Sequence, residues 1–183
     1  MLYTRKGDNG TTKTLHCDQR ITKGSILADA LGTVDELNVW LGIVKSKLQG
    51  TTLVWEQNKL AGIIEYVQQN LFIIQAELAG AKDKTITNQE VVDMENIIDG
   101  MEKSLPKISS FFVPGATELS AICEYGRVIA RRAEREVIKA VDSNQVRVSD
   151  TTKTYLNRLS SLLYVFVRFI NGKLNVAEIV PHY

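Results

Sequence analysis

Hydrophobic side chains recur at intervals of three and four residues in long segments of the chain. The first segment opens at Thr33–Glu36, where "TVDE" fits a capping box, and its apolar face runs toward the C-terminus through Leu37, Trp40, Leu41, Val44 and Leu48. A second segment runs from about Leu53 to Ala81, with an apolar face made of Leu60, Ile64, Val67, Leu71, Ile74 and Leu78. This spacing predicts two long amphipathic helices, because it collects the apolar residues on one side.

Turn and capping signals predict three further helices. The sequence "TNQE" at Thr87–Glu90 fits another capping box and starts a third helix that ends near Lys103. The sequence "VPGAT" at Val113–Thr117 interrupts the chain before a fourth helix, which continues to about Val141. A fifth helix spans about residues 149–171, and its apolar face comprises Leu156, Leu159, Leu163, Phe166 and Ile170.

Long helices with short connections predict an all-α, up-and-down five-helix bundle. It follows an irregular leader of about thirty residues. The chain has only three prolines and no Gly/Ser-rich linker, so we expect one domain over residues 1–183. Within it, residues 1–31 form the leader, 32–171 the bundle and 172–183 a C-terminal tail.

Composition excludes several classes of function. The net charge is +1, so neither nucleic-acid binding nor a membrane-surface role is supported, and any anion site must be local. No apolar run approaches the roughly 20 residues of a spanning helix, and no signal-peptide core is seen. Cys17 and Cys123 lie far apart without CxxC spacing, so we expect reduced thiols in a cytoplasmic protein. His16 beside Cys17 lacks a second ligand cluster, so it predicts no metal site.

The leader carries the sequence "TRKGDNGTT", which suits a loop that holds phosphate. Gly7 and Gly10 let the backbone curl so that N–H groups point inward. Hydroxyl donors and cations surround these glycines: Thr4, Arg5, Lys6, Thr11 and Thr12. The stretch is not a Walker A sequence, and a plain polar leader is the alternative interpretation.

The fourth helix contains "EYGRVIARRAEREV", which mixes arginines with glutamates. At about 100° per residue, one stripe of roughly 100° collects Arg127, Arg131, Glu134 and Arg135. Arg132 and Glu136 fall on the other side and can pair at i, i+4. A solvated, salt-bridged face is the alternative.

Two other helices also present a second face that is polar without being rich in Lys and Glu. On the fifth helix this face contains Asn157, Ser161, Tyr164 and Arg168, and on the first it contains Asp35, Asn38 and Gly42. Such faces often line a site or a subunit interface.

Holding a polyphosphate requires several fixed cations. The leader supplies Arg5, Lys6 and Lys23, and the fourth helix supplies Arg131 and Arg135. Glu134 is placed to orient these arginines or to help hold Mg²⁺. The sequence shows no Ser/His/Asp set, no HExxH and no paired catalytic carboxylates. If the protein is an enzyme, its nucleophile is therefore not a side chain.

Five motifs in order and spacing resemble the PduO-type ATP:cob(I)alamin adenosyltransferases: "YTRKGDNGTT", "GTVDELN", "FFVPGAT", "RRAERE" and "YLNRLSSLLY". The resemblance covers Tyr3 to about Asn171. It implies a five-helix bundle assembled as a homotrimer, with active sites at the subunit interfaces that bind MgATP and reduced cobalamin. In that family Co(I) attacks the 5′ carbon of ATP and displaces triphosphate. A reductase and an adenosylcobalamin-dependent enzyme are the further partners that it implies.

The resemblance also implies roles for single residues. ATP is assigned to Thr4, Arg5, Lys6, Gly7, Thr12, Lys23, Arg131, Arg132, Glu134, Arg135 and Asn157. Arg132 is at odds with its position on the helical face described above. Asp35 and Arg127 resemble an intersubunit ion pair that shapes the corrinoid site. Phe111 is similar to an aromatic residue that presses on the lower face of cobalamin and so makes Co(II) easier to reduce.

Several positions depart from the family pattern. A glycine-rich stretch is replaced by "KTLHCDQR", and "KGSIL" stands where the family has KDDxR. Ala116 replaces the second glycine of PGG, and Ser161 replaces an aspartate. Two hypotheses therefore stay open: an adenosyltransferase, or a non-catalytic trimer that binds ATP or carries cobalamin.

Overall fold

The computed structural model describes residues 3–14, 20–108 and 110–182. Five helices dominate this part of the chain: α1 (Ile26–Gln49), α2 (Leu60–Leu78), α3 (Asn88–Lys103), α4 (Glu118–Asp142) and α5 (Asp150–Lys173). Two short antiparallel hairpins precede α1 and α2, formed by β1 (Thr11–Lys13) with β2 (Arg20–Thr22) and by β3 (Val54–Trp55) with β4 (Asn58–Lys59). The predicted all-α, five-helix fold is confirmed.

Contacts between helices establish the up-and-down order. Trp40 Nε1 of α1 donates to the main-chain oxygen of Ile122 of α4 at 2.9 Å, whereas Lys47, further along α1, pairs with Glu118 at the start of α4. These two helices are therefore antiparallel. Gln68 of α2 donates to the main-chain oxygen of Asn38 at 2.9 Å, which fixes α2 on the other side of α1.

The predicted apolar faces form the core. All the apolar-face residues predicted on α2 and α5 are buried, as are those on α1 except Trp40, which is half-buried. Asn38 was expected on the polar face of α1 but is only 4% exposed, because it lies in the seam between α1 and α2. A residue that helical periodicity places on the polar face can thus be buried in a contact between two helices.

Capping chemistry explains where three helices begin. The capping box at Thr87 is present, with Glu90 accepting from the Thr87 main-chain N–H at 2.8 Å. The hydrogen bond from the Thr87 hydroxyl lowers the pKa of Glu90. Thr117 caps α4 and Ser149 caps α5, each accepting from a main-chain N–H three residues on. The predicted starts of α3, α4 and α5 are confirmed.

The predicted starts of the first two helices were wrong. Ser25 caps α1 by accepting from Ala28 N–H at 3.2 Å, so the helix starts at Ile26. Thr33 lies inside α1, and its hydroxyl donates to the main-chain oxygen of Asp29 at 2.7 Å. α2 starts at Leu60 because the β3–β4 hairpin occupies the preceding residues.

The leader is also more regular than expected. β1 and β2 pair in the register Thr11–Thr22, Thr12–Ile21 and Lys13–Arg20. Each strand has three residues, too few for an alternating pattern to show in the sequence. His16 and Cys17 lie outside the described residues. Cys123 is buried in α4, and burial raises the pKa of its thiol to about 12.

None of the described helices is long and apolar enough to cross a membrane.

Candidate functional site

The loop before β1 turns sharply at two glycines. Gly10 has a φ of +77°, which glycine adopts readily, and its N–H donates to the main-chain oxygen of Gly7 at 3.2 Å. A Cβ on Gly7 would lie 3.2 Å from the Thr11 main-chain oxygen and 3.4 Å from Lys23 Nζ. The predicted phosphate loop is thus a compact turn with the Lys23 ammonium beside it.

Arg20 holds this loop together, and the sequence analysis missed it. Its Nε donates to Thr11 Oγ1 at 2.7 Å, and its Nη2 donates to the main-chain oxygens of Lys6 at 2.6 Å and Thr11 at 2.9 Å. Predicting this role would have required the pairing of β1 with β2, which places Arg20 opposite Lys13. No spacing rule within the sequence marks that pairing.

The other predicted leader residues are accessible. Thr4, Arg5 and Lys6 are exposed, and Arg5 stacks its guanidinium 5.6 Å from the Tyr3 ring centroid. Thr12 is half-buried in β1, opposite Ile21. The hydrogen bonds of Arg20 and Lys23 stay within the leader, and Arg131 and Arg135 of α4 have no partner among the described residues, so one chain does not join these two parts of the predicted ATP site.

Arg131 and Arg135 are the unpaired cations of α4. Both are exposed, and neither makes a hydrogen bond or ion pair with any residue that the structure describes. Lys139, one turn beyond Arg135, is paired with Glu136 at 2.7 Å. Two adjacent arginines without partners suit an anionic ligand better than a salt-bridged surface.

Arg132 behaves differently from its neighbours. Its guanidinium pairs with Glu36 of α1 rather than with Glu136, so the predicted i, i+4 pair was wrong. The reason is that antiparallel packing sets Glu36 directly across from Arg132. The family resemblance assigns Arg132 to ATP, whereas helical periodicity places it on the other side of α4. The structure agrees with the periodicity, because Arg132 already has Glu36 as its anionic partner.

Glu134 and Asn157 meet between α4 and α5. Asn157 Nδ2 donates to Glu134 Oε1 at 2.8 Å. Glu134 Oε2 makes no hydrogen bond or ion pair within the described chain. Mg²⁺ is commonly held by one or two carboxylates together with substrate phosphates and water, so a single oriented carboxylate here fits that ion.

A large cavity opens where α3, α4 and α5 meet the connection before α4. Its volume is about 970 Å³, and its lining includes Phe111, Arg127, Ser161, Tyr164 and Arg168. Phe111 is 77% exposed, and its neighbours Ile108 and Val113 are each about half exposed. Of the polar face predicted on α5, Ser161, Tyr164 and Arg168 line this cavity, whereas Asn157 does not.

Charged groups surround the inner wall of the cavity. Arg127 pairs with Glu124 at 2.8 Å in the same helix, and its side chain is 28% exposed. Burial raises the pKa of Tyr164, with Arg168 acting against that shift and Glu178 adding to it. A neutral phenol beside paired charges gives a wall that donates and accepts hydrogen bonds without a net charge of its own.

Asp35 and Arg127 are not in contact within one chain. Asp35 is exposed and accepts from Gln75 Nε2 of α2 at 3.2 Å, whereas Arg127 is engaged by Glu124. The predicted pairing of Asp35 with Arg127 concerns two different subunits, so it stays a prediction.

Comparison with known proteins places this architecture in one family. The family model "Cobalamin adenosyltransferase" matches residues 2–170. The chain is 30% identical over 181 residues to the corrinoid adenosyltransferase of Bacillus subtilis, covering 97% of this chain and 90% of that protein. It is 32% identical to the corrinoid adenosyltransferase PduO of Salmonella typhimurium, covering 98% of this chain but only 52% of that longer protein.

Solved structures show the same fold. The PduO-type ATP:corrinoid adenosyltransferase from Lactobacillus reuteri, as a phenylalanine-to-alanine variant complexed with cobalamin and ATP, superposes with a TM-score of 0.87 and 28% identity, over 100% of both chains. An arginine-to-lysine variant of that enzyme complexed with ATP gives 0.85 and 28%, over 99% of this chain and 100% of that one. The fold and these relatives together define an enzyme with a helical bundle that acts on ATP and a corrinoid. The chain belongs to the cobalamin adenosyltransferase family.

Proposed function

We propose that the leader, α4 and the 970 Å³ cavity act together in adenosyl transfer. The protein is an ATP:corrinoid adenosyltransferase, which transfers the 5′-deoxyadenosyl group of ATP to the cobalt of cob(I)alamin and releases triphosphate. Cobalt(I) supplies the electron pair for the new Co–C bond. The C5′–O bond breaks, and its electron pair leaves with the triphosphate.

One observation carries the assignment of residues. Arg131 and Arg135 lack partners within the described chain, and they lie one and two turns along α4 from Arg127, which lines the cavity. Each turn advances about 5.4 Å, so unpaired cations begin within about 6 Å of the cavity wall along the helix. A ligand with a polyphosphate at one end and a reacting carbon at the other fits this layout.

The leader and α4 have complementary tasks in this proposal. Gly7, Lys6 and Lys23 surround the triphosphate from one side, with Thr4, Arg5 and Thr12 nearby. Arg131 and Arg135 hold it from the other, and Glu134 would hold a Mg²⁺ ion, which would neutralise part of the phosphate charge. These cations stabilise the negative charge that develops on the leaving group, which lowers the barrier more than it strengthens ground-state binding.

Phe111 serves the corrinoid in this proposal. Its exposed ring stands at the mouth of the cavity, where it can press on the lower face of the macrocycle. Excluding a lower axial ligand makes Co(II) easier to reduce to the nucleophilic Co(I). A reductase that delivers this electron and an enzyme that uses adenosylcobalamin are the partners we propose, in the cytoplasm.

We propose a homotrimer with the active site between subunits. The outer side of α1 and α4 exposes several apolar side chains that no other described element covers: Val39, Ile43, Tyr125 and Val128. Apolar patches of this kind mark protein interfaces. A second subunit laid on this face also supplies what one chain lacks, a leader in contact with the arginines of α4.

The alternative is a trimer that binds ATP or carries cobalamin without turnover. The segment "KGSIL" favours it, because Ser25 is used as the cap of α1 and the segment offers no carboxylate beside Lys23. Anaerobic incubation with ATP, Mg²⁺ and chemically reduced cobalamin separates the two. We expect the Co(I) spectrum to give way to that of a light-sensitive alkylcobalamin, faster than without protein. ATP binding without this product would establish the carrier.

A further inference from the structure

Arg168 of α5 is a buried cation that lines the cavity. It is 5% exposed, and its Nη1 donates to the main-chain oxygen of Pro106 at 3.0 Å. Its Cζ lies 5.3 Å from the ring centroid of Phe112. Both partners belong to the connection before α4, and they flank Phe111 in sequence.

The third partner of Arg168 comes from the C-terminal tail. Arg168 Nε donates to Glu178 Oε2 at 3.2 Å, and Glu178 Oε1 accepts from Asn171 Nδ2 at 3.4 Å. The tail then joins the same connection directly, because Val113 N–H donates to the main-chain oxygen of Ile179 at 2.8 Å. We call Arg168, Glu178, Pro106 and Phe112 the Arg168 clasp.

The clasp concentrates its contacts on a segment that lacks regular structure. Residues 105–117 form neither helix nor strand where they are described, so their position depends on side-chain contacts. Arginine suits this role because its planar fork donates in two directions while one face stacks on an aromatic ring. Phe111 itself is 77% exposed, so its own packing does little to place it.

We propose that Arg168 is a positioning residue for Phe111 and that the tail around Glu178 is part of the corrinoid site. This inference rests on the proposed function, in which Phe111 excludes the lower axial ligand. The clasp fixes Phe112 and Pro106, and Phe111 is thereby held at the mouth of the cavity. Loss of the clasp should leave ATP binding intact and allow a lower ligand to return to cobalt.

The test compares Arg168→Met and Glu178→Gln with wild-type protein, using cob(II)alamin and ATP. Electron paramagnetic resonance distinguishes Co(II) with a lower nitrogen ligand from Co(II) without one. We expect both variants to lose most of the ligand-free signal, with kcat falling about tenfold and the KM for ATP unchanged. Arg168→Lys should recover only part of the ligand-free signal and of kcat, because an ammonium keeps the charge but not the planar set of donors of a guanidinium.

Tyr155→Phe is the matched control. Tyr155 lies on the same helix as Arg168, and its hydroxyl accepts a buried hydrogen bond from Asn70 Nδ2 of α2 at 3.0 Å; neither residue lines the cavity. We expect this substitution to lower the melting temperature without altering the Co(II) spectrum. Glu178→Gln keeps the proposal testable if Arg168→Met does not fold, since Glu178 lies in the tail.

Two failures are distinguishable. If wild-type protein forms no adenosylcobalamin, the proposed function is wrong. If wild-type protein is active and Glu178→Gln and Arg168→Lys both keep a wild-type Co(II) spectrum and kcat, the clasp inference alone is overturned. The double variant Arg168→Met with Phe111→Ala should be no worse than Phe111→Ala, because both changes act through the same ring.

Discussion

Arg20 donates from Nη2 to the main-chain oxygen of Lys6 at 2.6 Å, which ties the second strand of the leader hairpin to the loop before the first strand. The same guanidinium also holds the Thr11 hydroxyl and main-chain oxygen. The loop that we assign to triphosphate therefore has its shape set by a residue outside it.

Replacing Arg20 tests whether that shape matters for ATP. In Arg20→Gln, three hydrogen bonds of the loop are lost, so we expect ATP affinity to fall about tenfold, or about 1.4 kcal/mol. Titration calorimetry measures the affinity, and circular dichroism should show an unchanged helix content. Lys59→Gln removes an equal charge from an exposed site in β4 and should leave ATP affinity as it was. Equal losses in both variants would indicate a general charge effect instead.

Arg131→Ala should weaken ATP binding by about 1.5–3 kcal/mol, or roughly one to two decades in affinity. The physical reason is the loss of one charge-assisted contact to phosphate. The free energy of unfolding should hardly change, because Arg131 is exposed and has no partner in the described chain. Lys139→Ala on the same helix is the control. An ATP affinity equal to wild type in Arg131→Ala would remove α4 from the phosphate site.

Asp35→Asn should damage corrinoid turnover and leave ATP binding nearly intact, because the triphosphate cations lie elsewhere. Removing one partner of a partly buried ion pair strands the other charge. A double-mutant cycle with Arg127 measures whether the two residues meet across a subunit boundary, and a charge-swapped pair should then recover part of the activity.

A second cycle, between Arg127 and Glu124, serves as the comparison, since those side chains pair within one chain at 2.8 Å. Coupling in the second cycle and none in the first would show that Arg127 is committed to its own helix.

The trimer prediction concerns the outer side of α1 and α4. Val39 is 65% exposed and Val128 is 50% exposed in a single chain. We expect Val39→Asp with Val128→Asp to turn the trimer into monomers that keep their helices, because a buried unpaired carboxylate is costly. Light scattering measures the mass of the assembly, and adenosyl-transfer activity should fall in the monomeric variant. A wild-type protein that is monomeric at micromolar concentration would contradict the interfacial site.

Glu90→Gln tests the capping box of α3 through its pH dependence. The folded state lowers the pKa of Glu90 below its ordinary value of 4.5, so its contribution is complete above that value and is lost as pH falls through the lower folded pKa. We expect the variant to be less stable by about 0.5–1 kcal/mol at neutral pH. This difference in the free energy of unfolding between the variant and wild type should disappear in acid. Asp99→Asn, nearer the other end of α3, should show no such loss, and a gap that persists at low pH would argue against the carboxylate.

Most of the bundle could be predicted from the sequence because its signals are local. The leucines of α1 and α2 repeat with the helical period, and Thr87 and Glu90 cap a helix within four residues of chain. The start of α1 was mispredicted because Thr33–Glu36 fits a capping box whereas Ser25 has no Glu or Gln three residues on, yet the helix extends back to the cap at Ser25, directly after the leader hairpin.

The candidate site was less predictable because its decisive contacts join distant parts of the chain. Arg132 meets Glu36 and Arg158 meets Glu95 through helix packing that no spacing rule encodes. The burial of Arg168 was unpredictable for the same reason. Its position on a polar stripe of α5 does not indicate that Pro106 and Glu178 contact it. The exposed position of Arg131 could be predicted from the helical period alone, whereas its role at phosphate stays a prediction.

In the proposed site, the stretch of α4 from Arg127 to Arg135 sets the distance between the phosphate groups of ATP and the corrinoid. A single inserted residue within it would rotate every later side chain by about 100° and advance it by about 1.5 Å. Arg131 and Arg135 would then leave the stripe that they share with Arg127, even though every cation was still present. We therefore expect this stretch of helix to accept substitutions far more readily than insertions.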